Sequence, residues 1–390
     1  MESTDLSYIL NELGEDREHY FNAIAPPIVQ TSNFAFRKVN ELGQAFRDEM
    51  AGYLYSRGIN PTVDILRRKL AALDGAEDCL VFNSGAAAIF AAVLANVKAG
   101  DHIVSVSKPY SWAQHVFNVI MPRFGVVTTY VDGTNIENFE RAILPATTLI
   151  YLESPNSWDF ALQDLSAVAE LARAEGIVTI CDNSYCTPLF QKPIALGIDI
   201  SLQSATKYIG GHSDTIAGVI TGSKAMMRKI FESEYLAVGS GIQPFNAWLL
   251  IRGLRTLPIR LEKGTRSTDQ VVSYLVQHPR VEKVLHPFHE SFPQQELARR
   301  QMTGACGLFG FVMKAQTREE IVLFCESLQH ILMAVSWGGH ESLIIPGCAS
   351  VPAGQFDPEN EGHRTLRLYV GLEEPDYIIA DLEQALLKTP

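Results

Sequence analysis

Lys207, Asp182 and the small-residue run at 83–88 are the parts of this sequence best suited to covalent chemistry. Lys207 follows the apolar run DISLQS, beside Ala205 and Thr206. A lysine held among apolar neighbours has a lowered pKa and is partly neutral, and a neutral amine is what condenses with an aldehyde. Lysines are rarely buried, so a lone Thr-Lys is more often a surface lysine. Asp182 ends the run VTICD, where a carboxylate is costly without a cation; a protonated ring nitrogen would satisfy it. A carboxylate capping the Asn183–Ser184 turn accounts for it about as well. After CLVF come Asn83, Ser84, Gly85, Ala86, Ala87 and Ala88, opening an Ala-rich helix whose free N–H groups suit a phosphate. Taken alone, that segment is better explained as a tight strand-to-helix turn. Ser204 and Thr206 lie two apart and are expected on one side of a strand, both hydroxyls toward the same anion.

These residues are informative because of where they fall. From about residue 60, short β-branched runs alternate with Ala-rich helical stretches: CLVF, HIVSV, VVTTYV, TLIYLE, VTICD, DISLQS and AGVITG. That alternation predicts a mostly parallel sheet covered by helices, an α/β architecture in which ligands gather at the carboxyl ends of the strands. Residues 1–57, with helical patches at Leu6–Leu13 and Val39–Met50 around the extended IAPPIVQTSNFAF, read as an arm. The helical stretch from Ile251 to His278 leaves the alternating pattern, so a boundary is expected near residue 253, giving a large domain at 58–253 and a smaller α+β domain at 254–390. In the latter, GLFGFVM and TLRLYVGL read as strands, REEIVLFCESLQ and PDYIIADLEQALL as amphipathic helices.

With 390 residues, 47% of them hydrophobic and 19% charged, the chain has the composition of a globular protein. Lys and Arg total 32 against 44 Asp and Glu, a net charge of −12 with no basic stripe, which argues against nucleic acid as a partner. Cys79, Cys181, Cys186, Cys306, Cys325 and Cys348 show no CxxC spacing and are expected to be reduced and buried. Ten dispersed histidines with no HxxxH or HExxH pair give no reason to expect a metal. The N-terminus carries acidic residues where a signal peptide is basic then apolar, and no run reaches membrane-spanning length, so no membrane association and a cytoplasmic location are expected. No GxGxxG follows the first strand of the α/β region, which sets aside a nicotinamide dehydrogenase.

The run SATKYIGGHSD around Lys207 resembles the cofactor-lysine motif of the Cys/Met-metabolism family of pyridoxal-phosphate enzymes. The resemblance continues in order through YSRGINPT from Tyr55, NSGAAA from Asn83, ESP from Glu153, CDNSYCTP from Cys181, RGLRTL from Arg252, SWGGHESL from Ser336 and LRLYVGLEE from Leu366. It implies the type I fold of aspartate aminotransferase and pyridoxal 5'-phosphate as cofactor, with Lys207 forming the Schiff base and moving protons and Asp182 keeping the ring nitrogen protonated. It further implies that Gly85 and Ala86 donate backbone N–H groups to the phosphate, that Ser204 and Thr206 add hydroxyls, and that Tyr110 stacks over the ring and assists the leaving group. Arg367 is implied to clamp the α-carboxylate of a small amino-acid substrate, with Ser336, Val335 and Asn156 beside the substrate. Tyr55 and Arg57 are implied to reach the phosphate in a neighbouring subunit, so the active sites are shared and at least a dimer is expected, with a homotetramer as the implied assembly.

The reaction is not set by fold or cofactor, because the same machinery serves β-elimination, γ-elimination and γ-replacement. The GAAA of Gly85–Ala88, the Asn156–Ser157 pair after ESP, and SWGGHES with Trp337 are similar to β-lyases. They lead to the expectation of a carbon–sulfur lyase that splits L-cystathionine into homocysteine, pyruvate and ammonia. Val335, where γ-synthases and cystathionine γ-lyases place a glutamate, together with Trp112, carries the alternative of a γ-lyase acting on methionine or another γ-substituted amino acid such as canavanine. A non-catalytic relative that only binds the cofactor is the third reading, disfavoured by the intact Lys207, Asp182, Tyr110 and Arg367 set.

Overall fold

A computed structural model describes residues 5–389. Seven strands form the first sheet: β1 (Asp78–Phe82), β2 (His102–Val106), β3 (Val127–Val131), β4 (Thr147–Glu153), β5 (Val178–Asp182), β6 (Ile200–Gln203) and β7 (Gly218–Gly222), in the order β1-β7-β6-β5-β4-β2-β3. The pairs from β6 to β3 are all parallel and β7 is antiparallel to both of its neighbours, so the sheet is mostly parallel, as expected. Apolar clusters cover both faces, and the strands therefore read as continuous hydrophobic runs rather than alternating ones. Leu149, Ile180, Ile200, Leu202 and Ile220 are wholly out of water. Each such side chain contributes about 1.5–3 kcal/mol relative to exposure.

Helix boundaries follow local chemistry. The Pro61–Asp74 helix starts with Asn60, whose side chain accepts from the Thr62 N–H, has Pro61 in its first turn, and stops at Gly75 with φ 70°. Ser84 caps the Gly85–Leu94 helix in the same manner, accepting from the Ala87 N–H at 3.1 Å. Because Ser84 closes β1 and opens this helix, the helix N-terminus faces the end of the sheet where β4, β5 and β6 also finish.

A single helix, Pro244–Gln277, runs 34 residues through residue 253 without a break, so the change of pattern near that position lies inside one helix. Its Gly253 lies against the turn that follows β6: a Cβ there would be 2.3 Å from the Ile209 carbonyl oxygen. Arg260, one helical face further on, donates to the Tyr208 carbonyl at 2.7 Å and to the Gly253 carbonyl at 2.8 Å, binding the turn to the helix. Beyond it lies a second sheet of β8 (Val281–Leu285), β9 (Leu308–Met313), β10 (Leu332–Met333), β11 (Leu343–Pro346) and β12 (Thr365–Tyr369), in the order β10-β11-β12-β9-β8 and antiparallel apart from the β10–β11 pair. The helices Arg318–Ser327 and Pro375–Leu386 contribute Phe324, Leu382 and Ile378 to the core on this sheet.

Near the N-terminus the helix Leu6–Asn11 is anchored by Lys69 of the Pro61–Asp74 helix. Lys69 is wholly buried, donates to the Ile9 and Leu10 carbonyls at 2.9 and 3.1 Å, and pairs with Glu15 at 3.1 Å. Glu15 is buried too and is also held by Arg255 at 2.9 Å and Arg17 at 3.2 Å. All six cysteines are buried and unbridged. Among the described residues no helix is long and apolar enough to cross a membrane.

Candidate active site

At the carboxyl ends of β1, β4, β5 and β6 lies a cleft of about 250 Å³ lined by Ser84, Gly85, Ala86, Tyr110, Trp112, Glu153, Ser157, Asp182, Ser204, Thr206, Lys207 and Trp337 among others. The structure thus brings together residues 84–86, 110, 182, 204, 206 and 207, which are scattered over more than a hundred positions of sequence.

Lys207 sits in the turn after β6, with Nζ donating to Ser336 Oγ at 2.7 Å and lying 4.6 Å from the Trp337 ring centre. Burial lowers its pKa to about 8; the positive charge of Arg367 adds to this and Asp182 opposes it. The turn is closely covered by the loop carrying Ser336 and Gly338. Gly338 has φ 88°, and a Cβ there would be 2.6 Å from the Lys207 carbonyl carbon and the Tyr208 nitrogen. Only glycine tolerates both conditions.

Asp182 ends β5 directly across from Glu153 at the end of β4. Two buried carboxylates side by side disfavour ionisation. Burial raises the Asp182 pKa, with hydrogen bonds from Ser184 and the charge of Lys207 opposing, and its Oδ1 accepts from the Ser184 N–H at 2.9 Å. Burial and then the Asp182 charge push Glu153 up to about 7, against the N–H groups of Tyr110 and Ser157. Tyr110 is raised by burial and by the same two carboxylates, so its hydroxyl is protonated around neutral pH.

Arg367 comes from the second sheet, on β12. Its guanidinium is flanked by Trp158 at 4.9 Å and Trp337 at 5.0 Å and donates to the Ser157 carbonyl at 3.3 Å. Burial lowers its pKa to about 10, with Glu153 and Tyr110 opposing. A buried guanidinium without a paired carboxylate within salt-bridge reach in the described chain is suited to an incoming one.

Several expectations need correction. The strand β6 ends at Gln203, because the Ser204 N–H turns out of the ladder to Ser184 Oγ at 2.6 Å; Ser204 and Thr206 therefore do not share a strand face. Both still line the cleft, but the Thr206 hydroxyl donates to the Ala217 carbonyl at 3.2 Å and accepts from its N–H at 3.0 Å, leaving Ser204 as the freer hydroxyl. Asn156 does not reach the cleft. Its Nδ2 donates to the Lys108 carbonyl at 2.7 Å, its Oδ1 accepts from the Trp158 N–H at 2.9 Å, and it lines a different cavity. Val335 is 80% exposed on an adjoining hollow that shares Thr206, Ile216 and Trp337 with the cleft. Tyr55 and Arg57 are exposed and line a separate concavity with Gln30 and Ser32, the guanidinium 5.6 Å over the ring.

Sequence reasoning used Glu153 and Ser157 as motif residues but gave neither them nor Trp158 a place in the site. Glu153 ends a strand in the same way as Asp182, and that parallel was the available signal; the contact of Trp158 with Arg367 has no local signature. Trp112, 53% exposed, does face the cleft.

These side chains fit pyridoxal phosphate. A Cβ at Gly85 would lie 3.2 Å from Ser204 Oγ, so the missing side chain opens a cradle between that hydroxyl and the N–H groups of a helix N-terminus. Asp182 is a buried carboxylate in want of a cation, and Lys207 is an amine partly neutral near physiological pH.

Residues 9–387 match the Cys/Met metabolism PLP-dependent enzyme family. An L-methionine gamma-lyase of Treponema denticola is 39% identical over 376 residues, covering 94% of this chain and 93% of the relative. A human cystathionine gamma-lyase is 35% identical over 380 residues, covering 96% and 91%, and a chloroplastic cystathionine beta-lyase of Mimosa pudica is 35% identical over 374 residues, covering 95% and 79%.

Proposed function

The chain belongs to the Cys/Met metabolism family of PLP-dependent enzymes, and from that premise we propose that it is a γ-lyase acting on a small amino acid with an uncharged thioether at its γ carbon, methionine being the type. That it is a PLP-dependent lyase of type I fold follows from the family and its named relatives. The observation that carries the finer reading is the apolar part of the cleft lining. Tyr110, Trp112, Ile216 and Trp337 belong to it, while Val335 lies on the adjoining hollow, whose charged lining residues, Asp214 and Glu341, are both acidic. A methyl thioether is at home there, whereas the distant carboxylate of cystathionine would need a cation, and neither Lys nor Arg lines the adjoining hollow.

Pyridoxal phosphate, when bound, supplies the electron sink for charge developing on the substrate carbons. In this reading Lys207 Nζ would hold its aldehyde carbon, Asp182 would keep the ring nitrogen protonated, and Gly85, Ala86 and Ser204 would hold the phosphate, with Thr206 behind them. Arg367 orients the substrate by its α-carboxylate. Lys207 Nζ would take the proton from Cα and serve the later transfer at Cβ, for which a pKa near the working pH is favourable. Tyr110 Oη, kept protonated by its surroundings, gives its proton to the departing sulfur. Trp112 and Ile216 keep water from the leaving-group side.

β-Elimination of cystathionine is the second reading, favoured by Trp337, which stacks against both Lys207 and Arg367 and belongs to the SWGGHES run. One assay separates the two. With methionine the cofactor-loaded enzyme is expected to release 2-oxobutyrate, methanethiol and ammonia, identified by mass spectrometry; pyruvate from cystathionine with no turnover of methionine would install the β-lyase instead. A homo-oligomer of at least two copies, with Tyr55 and Arg57 completing the neighbour's site, and a cytoplasmic location are part of the same proposal, as is the division into an arm, a large and a small domain.

A further inference from the structure

Glu153 has no assigned part in binding or chemistry, yet it is the one carboxylate of the cleft that grips the backbone of two loops. Its Oε2 accepts from the Tyr110 N–H at 2.5 Å, and its Oε1 accepts from the Ser157 N–H at 2.8 Å. The first loop, after β2, presents the tyrosine. The second, after β4, presents the Ser157 carbonyl that receives Arg367 and the Trp158 ring that covers it. Asn156 joins the same two loops at a second point, between the Lys108 carbonyl and the Trp158 N–H. Lys108 has φ 56°, a conformation that an ordinary side chain rarely adopts unless its surroundings enforce it.

We propose that Glu153 is a positioning residue: a buried carboxylate that, with Asn156 as its second strap, fixes the spacing between the acid at Tyr110 and the carboxylate anchor at Arg367. The inference rests on the reading that those two residues face the leaving group and the substrate. Its physical basis is geometric: each oxygen of one side chain at a strand end accepts from the backbone of a different loop, so that side chain sets two loops at once. A fixed loop geometry of this kind matters because misplacement of a catalytic group by about 1 Å can cost about a hundredfold in rate. Burial beside Asp182 works against the ionised form, and the two N–H donors work for it.

The test is a double-mutant cycle in the cofactor-loaded enzyme, with E153Q, Y110F and the pair, each read by kcat, KM and circular dichroism in the cofactor band. Glutamine keeps the shape but sets an NH2 group against one of the two N–H donors. In the parent background E153Q is expected to lower kcat/KM by about tenfold or more and to alter the cofactor dichroism, while in the Y110F background it costs less than about threefold in kcat. Equal fold losses in both backgrounds with unchanged dichroism, or E153Q within twofold of the parent, overturn the proposal. Unchanged kinetics in Y110F alone would instead remove the role given to Tyr110, and the clasp then stands or falls on the KM and dichroism of E153Q. Should E153Q fail to fold, N156A cuts the other strap: a raised KM with altered dichroism supports the clasp, and parent-like values refute it.

Discussion

Lys69 and Lys207 are both held away from water, and both have their pKa lowered chiefly by burial, yet they are surrounded in opposite ways. Lys69 has every need met: two carbonyls, the Glu15 carboxylate, and a cluster in which Arg17 and Arg255 share that carboxylate. Lys207 has a single hydroxyl, a tryptophan face and a second cation nearby, with Asp182 too distant for an ion pair. The first lysine ties the N-terminal helix to the body of the fold. The second is left partly neutral and reachable. Burial of an amine is therefore not itself the mark of chemistry; incomplete satisfaction at the mouth of a cleft is.

Each of four measurements bears on that contrast. K207A should lower turnover by about a thousandfold or more while leaving thermal unfolding nearly unmoved, since no ion pair is lost; a large drop in Tm with residual turnover would reverse the assignment. R367A should raise KM by about a hundredfold through loss of the charge-assisted carboxylate contact, with a smaller change in kcat. K69M should show the mirror-image result: destabilisation by about 3 kcal/mol in denaturant, because two buried carbonyls lose their donor and Glu15 loses one of its three cations, with parent-like kcat in the molecules that remain folded and loaded. The mildest effect is in pH. For apo-protein mixed with pyridoxal phosphate, only the neutral Lys207 amine reacts, so with a pKa of about 8 the loading rate should rise roughly tenfold from pH 7 to pH 9 and then level off. A rate independent of pH across that window would show an amine neutral throughout.

Much of the scaffold was legible because parallel strands buried on both faces must be unbroken apolar runs, and the residues that stop such runs stand where ligands bind. Lys207, Asp182 and the Ser84–Gly85 turn were found that way. What escaped depended on contacts across long stretches of chain. Arg367 meets the Ser157 carbonyl 210 positions away, and nothing near Trp158 foretells that its ring will cover a guanidinium from the second sheet. Asn156 was misplaced for a related reason: proximity in sequence to Glu153 says which loop it occupies but not which way the amide turns. The end of β6 was set one residue too late because the Ser184 hydroxyl, from a neighbouring turn, claims the Ser204 N–H.

Trp112, Ile216 and Val335 are 53%, 60% and 80% exposed; Trp112, in the short helix Ser111–His115, and Ile216, on a connection, line the cleft, and Val335 lies on the connection beside the adjoining hollow. Exchanges at such positions cost the folded state little, typically within about 0.5 kcal/mol. In the proposed reading, substrate range and foldedness rest on different residues, and a lineage can drift at the rim without endangering the scaffold. For protein engineers these three positions form a compact library in which a new leaving group can be sought while Lys207, Asp182 and Arg367 stay untouched.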